Sequence, residues 1–446
     1  MSRPGLSRPL YMGGARTAGP DKLDHDGING GNMTKPALSR RQAVLTAAGA
    51  AIAARSARAA APVQLISHRY PALEFWANKM KTAVPGVEVN AQLMPFDKAL
   101  ELATIALSSK SDTLDLVYAS EATVQTFAKN GWIRPLDDLW VRYKQEFKLD
   151  DYADEVMRLF TRDGHIYVIP AGINVMMLFY RRDLFDAAGK TVPATIAEYQ
   201  GLAKSFNTPL RAGTISCLKP VDACMNEAHW YMNAIGPGWF DAQWKPIFNT
   251  EKGVQAVDAL RETTRSAQRG YTTAANDECS IALQQDLATM GLQWATRANS
   301  MDDPKQSHVI GKIEWSPPPS GKGRISADGY AISAFSKQDP ETLFRIVATA
   351  TAEANMREGS ALTLVPRKAL LNDAELRTKN RFYPAATQAL ASGIPFPQIP
   401  EFYAVGEYIA RRIVQAITGE MATKAALDAA ASETEAFLKG RGYYNG

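Results

Sequence analysis

The chain has 446 residues, of which 46% are Ala, Val, Ile, Leu, Met, Phe, Trp, Tyr or Cys and 22% are charged. This length accommodates two ordinary domains, and the balance is that of a globular protein. A wholly disordered, collagen-like or coiled-coil chain is excluded. The formal net charge of +4 is unevenly placed: residues 1–61 hold nine Lys and Arg against three Asp, leaving 41 basic and 43 acidic residues elsewhere. The body therefore has no basic excess to support nucleic-acid binding.

Residues 1–32 are rich in Gly, Arg and Asp without apolar periodicity, a composition expected of disorder. Ser39-Arg40-Arg41 then precedes an Ala-rich run to Ala54, and Arg55-Ser56-Ala57-Arg58-Ala59-Ala60-Ala61 ends in small residues. This order of basic, apolar and small-residue regions resembles a twin-arginine export signal, with Met33 as an alternative start. The expected location is the periplasm. The apolar run Ala43–Ala54 is too short for an ordinary membrane span. Cys217, Cys224 and Cys279 remain in the body. Cys217 and Cys224 could close a local bridge or stand as buried thiols, and their spacing supports no zinc site.

Beyond residue 61, Val63–Ile66 reads as a strand and Leu73–Ala83 as a helix. Val87–Leu93 alternates like a strand, and Phe96–Leu107 has helical spacing. Leu114–Tyr118 is a buried strand, and Thr123–Lys129 a helix stopped by Asn130-Gly131. This β-α-β-α-β-α order predicts an α/β fold with mainly parallel sheets flanked by helices. Ile166–Ile169, Met176–Tyr180, Leu287–Leu292 and Gly329–Phe335 read as further strands. Leu184–Ala188, Ile196–Phe206, Val254–Ser266 and Glu341–Ala350 read as helices. The chain ends in two helices, one after Pro400 up to Gly419 and one over Ala425–Lys439.

Catalytic motifs are scarce. No His-Glu-x-x-His or Gly-x-Ser-x-Gly occurs, and no cofactor or metal is expected. Ser320-Gly321-Lys322-Gly323-Arg324 lacks phosphate-loop spacing and follows three prolines. Asp137-Asp138 reads as a solvated turn. Two suitably placed carboxylates would suffice for a glycosidase, so a carbohydrate-active enzyme, hydrolase or lyase, stands as the alternative to a binding protein.

Several segments in their order resemble the family 1 extracellular solute-binding proteins of ABC importers, which include maltose-binding proteins. They are Thr113-Leu114-Asp115-Leu116-Val117-Tyr118, Phe127–Leu139, Gly164–Pro170, Leu178–Gly189, Asn249–Val254 and Ala416–Glu420. Arg181-Arg182 departs from the family's Asn-Lys. The resemblance implies two α/β lobes around a ligand cleft, one of 62–173 plus 328–381 and the other of 174–327 plus 382–446. It places hinge crossings near Gly172–Val175, Ala327–Gly329 and Arg381–Pro384. It implies a sugar or polyol as ligand, ABC permease subunits as partners, a monomer, and no chemistry.

On that resemblance, His68 and Tyr70 follow the first strand into the cleft, and Tyr118 and Glu121 follow the third. Glu121 would accept ligand hydroxyls or else stabilise a helix N-terminus. Trp294 and Trp230 would stack on an apolar sugar face, Trp230 having helix packing as an equal reading. Asn174, Asp328 and Tyr330 border the hinge. Phe402 and Tyr403 open the penultimate helix near a stacking position, or form a hydrophobic staple. Trp76, Trp132 and Trp140 are assigned to packing.

Overall fold

The computed structural model describes residues 61–444. The leader and export signal expected over residues 1–61 lie outside the described residues, Ala61 apart. The first half opens as the sequence predicts. β1 (Val63–His68), α1 (Pro71–Met80), β2 (Val89–Met94), α2 (Phe96–Ser108), β3 (Leu116–Ser120) and α3 (Thr123–Lys129) follow in order. β1 pairs in parallel with both β2 and β3, the arrangement that short strands alternating with helices impose.

The strand expected over Met176–Tyr180 is longer, and the one expected over Ile166–Ile169 is divided: Ile166 pairs with Thr161 in a short hairpin and Ile169 opens the long strand. β4 runs unbroken over Ile169–Arg181. Pairing with neighbouring strands carries the backbone through Gly172 and Asn174. β5 (Ala212–Thr214), β6 (Ala288–Trp294), β7 (Ile313–Ser316) and β8 (Ile325–Ile332) complete a sheet ordered β2-β1-β3-β8-β4-β6-β5, with β7 also on β4. β8 is antiparallel to β3 and to the first half of β4. The second half of β4 is antiparallel to β6 and β7. β5 and β6 are parallel. β4 thus joins two groups of strands, each with its own apolar core.

Leu65, Trp76, Leu116, Phe127 and Tyr330 belong to the first core. Leu178, Trp230, Phe248, Phe402 and Ile413 belong to the second. Trp76 and Trp140 are buried, and part-buried Trp132 packs on Phe127. The second core is built largely by three helices, α4 (Asp222–Ala234), α6 (Phe402–Thr418) and α7 (Thr423–Gly440). Between the first two runs α5 (Asn276–Gln284). α6 presents Val405, Ile409, Ile413, Ala416 and Ile417 on one face. It stops at Gly419, whose φ of 79° suits a residue without Cβ.

The cysteines pair differently from the local bridge. The disulfide joins Cys217 to Cys279, 62 residues apart, and Cys224 is a buried free thiol. Helix α4 explains the difference. Cys217 lies in the loop before it and Cys224 inside it, where the thiol faces the backbone of α6 with Sγ 3.9 Å from the Ala410 carbonyl. The same helix buries Glu227, which accepts the Cys217 N–H and the Ser216 hydroxyl. Burial pushes this carboxyl up to about 7.

Candidate functional site

A cavity of about 90 Å³ lies where β3, β8 and β4 meet the N-terminal ends of α4, α5 and α6.

Side-chain alternation builds its floor. Ser326 and Asp328 point the same way along β8, as does Arg324 just before it. Asp328 stands opposite Ser120 of β3, and Ser326 opposite Asn174 of β4. All five line the cavity. Asp328 accepts the hydroxyls of Tyr70 and Tyr118, each at 2.6 Å, one on each carboxylate oxygen. Burial pushes its carboxyl up to about 6, against the opposing pull of these two bonds. Asn174 reaches Thr296 with an Nδ2···Oγ1 distance of 3.2 Å.

Aromatic rings form one wall. His68 packs edge-on against Tyr70, Phe96 and Tyr118, with centroids 5.2, 5.6 and 5.9 Å away. Tyr403 continues this wall through Phe96 at 5.6 Å. Burial, aided by Arg297, holds His68 down at about 4, so its ring is neutral at pH 7.

Arg324 is the most constrained group. It is 3% exposed, with its guanidinium 3.6 Å from the Phe396 ring centroid and 5.2 Å from that of Trp294. Nη2 donates to Glu121 Oε1 at 2.5 Å. Its Nε has no partner. Flat stacking and a carboxylate on one edge fix the fork, leaving donors for a ligand.

Seven expected residues therefore line the cavity together: His68, Tyr70, Tyr118, Asn174, Trp294, Asp328 and Tyr403. Four do not. Glu121 is fully buried behind the floor, where it receives Arg324, the Ser326 hydroxyl at 2.7 Å and the Ala327 N–H. It positions Arg324 and has no free face for a hydroxyl. Trp230 is 1% exposed, donates its indole N–H to the Pro319 carbonyl and packs against Tyr199 and Tyr231. This is the helix-packing reading. Tyr330 follows a register shift at Asp328/Gly329 and packs in the first core with its hydroxyl toward the Leu73 carbonyl. Phe402 faces Phe396 and Phe240 inside the second core. Its neighbour Tyr403 alone takes the cavity side.

Sequence reasoning missed Arg324, Ser326, Asp222, Asn276 and Arg297. For Arg324, Ser326 and Asp328 a signal exists, polar residues at every second position of a buried strand. Asp222 and Asn276 open helices that the chain's apolar pattern does not announce.

A two-lobe α/β protein, its strands crossing beside a polar and aromatic cavity, is the fold of the periplasmic binding proteins. Residues 67–357 match the bacterial extracellular solute-binding protein family, and the chain belongs to it. The mannitol-binding protein of Pseudomonas aeruginosa is 23% identical over 376 residues, covering 76% of this chain and 84% of its own. A ribitol-bound solute-binding protein of Agrobacterium radiobacter superposes with a TM-score of 0.78 at 23% identity, covering 85% of this chain and 99% of that one. A maltose-bound MalE3 of T. maritima gives 0.77 at 18% identity, with coverages of 84% and 99%.

Proposed function

We propose that this chain is the periplasmic receptor of an ABC importer and takes one small polyhydroxylated molecule, a sugar alcohol or monosaccharide, into the cavity at Asp328. The observation that carries this reading is the pairing of a ~90 Å³ volume with opposed walls. One wall is aromatic, suited to carbon–hydrogen faces. The other presents Arg324, Asn174, Asp328 and Asp222, suited to hydroxyls that both donate and accept. The mannitol- and ribitol-binding relatives favour this ligand class.

The proposed cycle has no bond-making step. The lobes are 62–173 with 328–381, and 174–327 with 382–446, hinged at β4, β8 and Arg381–Pro384. The ligand touches both lobes only in the closed state and so selects it. The closed monomer then delivers the ligand to the permease, after export by the twin-arginine route. Thermal unfolding against a panel of alditols, monosaccharides and oligosaccharides tests the reading. A ligand at 100 times its Kd adds about 2.7 kcal/mol, a readable rise in Tm. A rise confined to trisaccharides, or to none of the panel, would refute it.

A further inference from the structure

We infer that the cavity discriminates by charge, admitting an uncharged alditol and rejecting the aldonate made by oxidising one of its ends. The inference rests on the polyol reading above. It is carried by the charges around the cavity, which leave carboxylates in excess.

Both arginines of the cavity are already matched. Arg324 pairs with Glu121 behind the floor, and Arg297 pairs with Asp277 at 2.5 Å. Among the described residues Asp328 and Asp222 have no such partner. Asp328 is held by two neutral tyrosine hydroxyls, and Asp222 accepts the Asn226 amide at 3.0 Å. The immediate surroundings thus hold four carboxylates to two guanidiniums.

Two of the three helix ends that would favour an anion already carry a carboxylate. Asp222 is the first residue of α4, and Asp277 and Glu278 lie in the first turn of α5. At α6 the Glu401 side chain makes no cap bond and turns to Lys129 and Tyr443. A second pocket adjoins the cavity, sharing Asp222 and Arg297 with it, and adds Glu74, Asp97 and Glu278 against Arg69 and Lys219. A bound anion would meet an excess of like charge from both. A neutral hydroxyl chain meets only donors and acceptors.

The test is calorimetric titration of the purified protein at neutral pH with D-mannitol and D-glucitol, with D-mannonate and D-gluconate, and with the corresponding 1-amino-1-deoxy alditols. The amines separate the sign of charge from loss of a terminal hydroxyl. The expected result is an aldonate at least about tenfold weaker than its alditol, with the amine penalised less. The variant D222N should narrow the alditol-to-aldonate ratio by about threefold or more, and E121Q, where it folds, should narrow it by freeing Arg324. An aldonate bound as tightly as its alditol overturns the inference and leaves the polyol reading intact. So does an amine rejected as strongly as the aldonate, or a D222N ratio equal to wild type. Absence of binding by every alditol and aldonate removes the polyol reading, and the inference falls with it.

Discussion

Asp328 and Arg324 occupy the same buried strand face yet are held in different ways, and this sets what each should do when changed. Arg324 depends on flat stacking over Phe396 and on Glu121. Lysine cannot reproduce a planar fork, so Arg324→Lys should weaken ligand binding by roughly 1–3 kcal/mol. Titration of the variant reads this directly, and wild-type affinity would remove Arg324 from ligand contact. Trp294→Ala should cost a similar ~1–3 kcal/mol if its ring covers a carbon face. Trp230→Phe should leave affinity unchanged and lower only Tm, because Trp230 touches no part of the cavity.

The pH dependence follows from the burial of Asp328, which outweighs the pull of its two tyrosine hydroxyls. The Asp328 carboxyl titrates near 6 in the fold against an ordinary 3.8. The folded state therefore holds this proton more tightly than the unfolded chain. Its contribution to stability falls as pH rises through that window. His68 has the opposite sign. It is held near 4 against 6.5, so its contribution is lost as pH falls from 6.5 toward 4. A ligand hydroxyl donating to the Asp328 carboxylate should bind less well as pH drops below about 6. Asp328→Asn should remove that step, and an unchanged profile in the variant would assign it elsewhere.

Among the elements, legibility followed periodicity. β1, α2 and α3 announce themselves by alternation or helical spacing, and α3 was legible to the residue as Thr123–Lys129. The sequence of β4 reads as separate short runs, and only pairing to β8, β6 and β7 makes it one strand. Helix α4 shows in the sequence only as a packing reading at Trp230, for a related reason. Its residues from Ala223 to Met232 are buried on every side, Asn226, Glu227 and His229 included, so no polar stripe marks it. The choice between a local bridge and a buried thiol turns on the same helix, since a helix over Cys224 takes that thiol away from Cys217. The site was legible where side chains follow a strand end, at His68, Tyr70 and Trp294. It was illegible where a partner from another element decides orientation, at Glu121 and Phe402. The Cys217–Cys279 bridge ties the loop before Asp222 to the helix begun by Asn276. Cys217→Ser with Cys279→Ser should destabilise by ~2–4 kcal/mol. Peptide mapping of the unreduced protein should recover Cys217 joined to Cys279 with Cys224 as a free thiol, and a Cys217–Cys224 peptide would contradict the structure.

For the whole molecule, two cores joined by long crossing strands leave a hinge as the natural mode of motion, and the cavity lined from both sides is what a ligand would close. Membership of an extracellular solute-binding family fits this two-core arrangement around one cavity. The most direct test is calorimetric titration of residues 62–446 with D-mannitol, ribitol, their parent monosaccharides, maltose and maltotriose, run in parallel with Trp294→Ala. The account predicts saturable binding of one alditol or monosaccharide at one site per chain, weakened in the variant, with maltotriose giving none. Binding of maltotriose alone, or a small ligand held equally well by Trp294→Ala and Arg324→Lys, would contradict it.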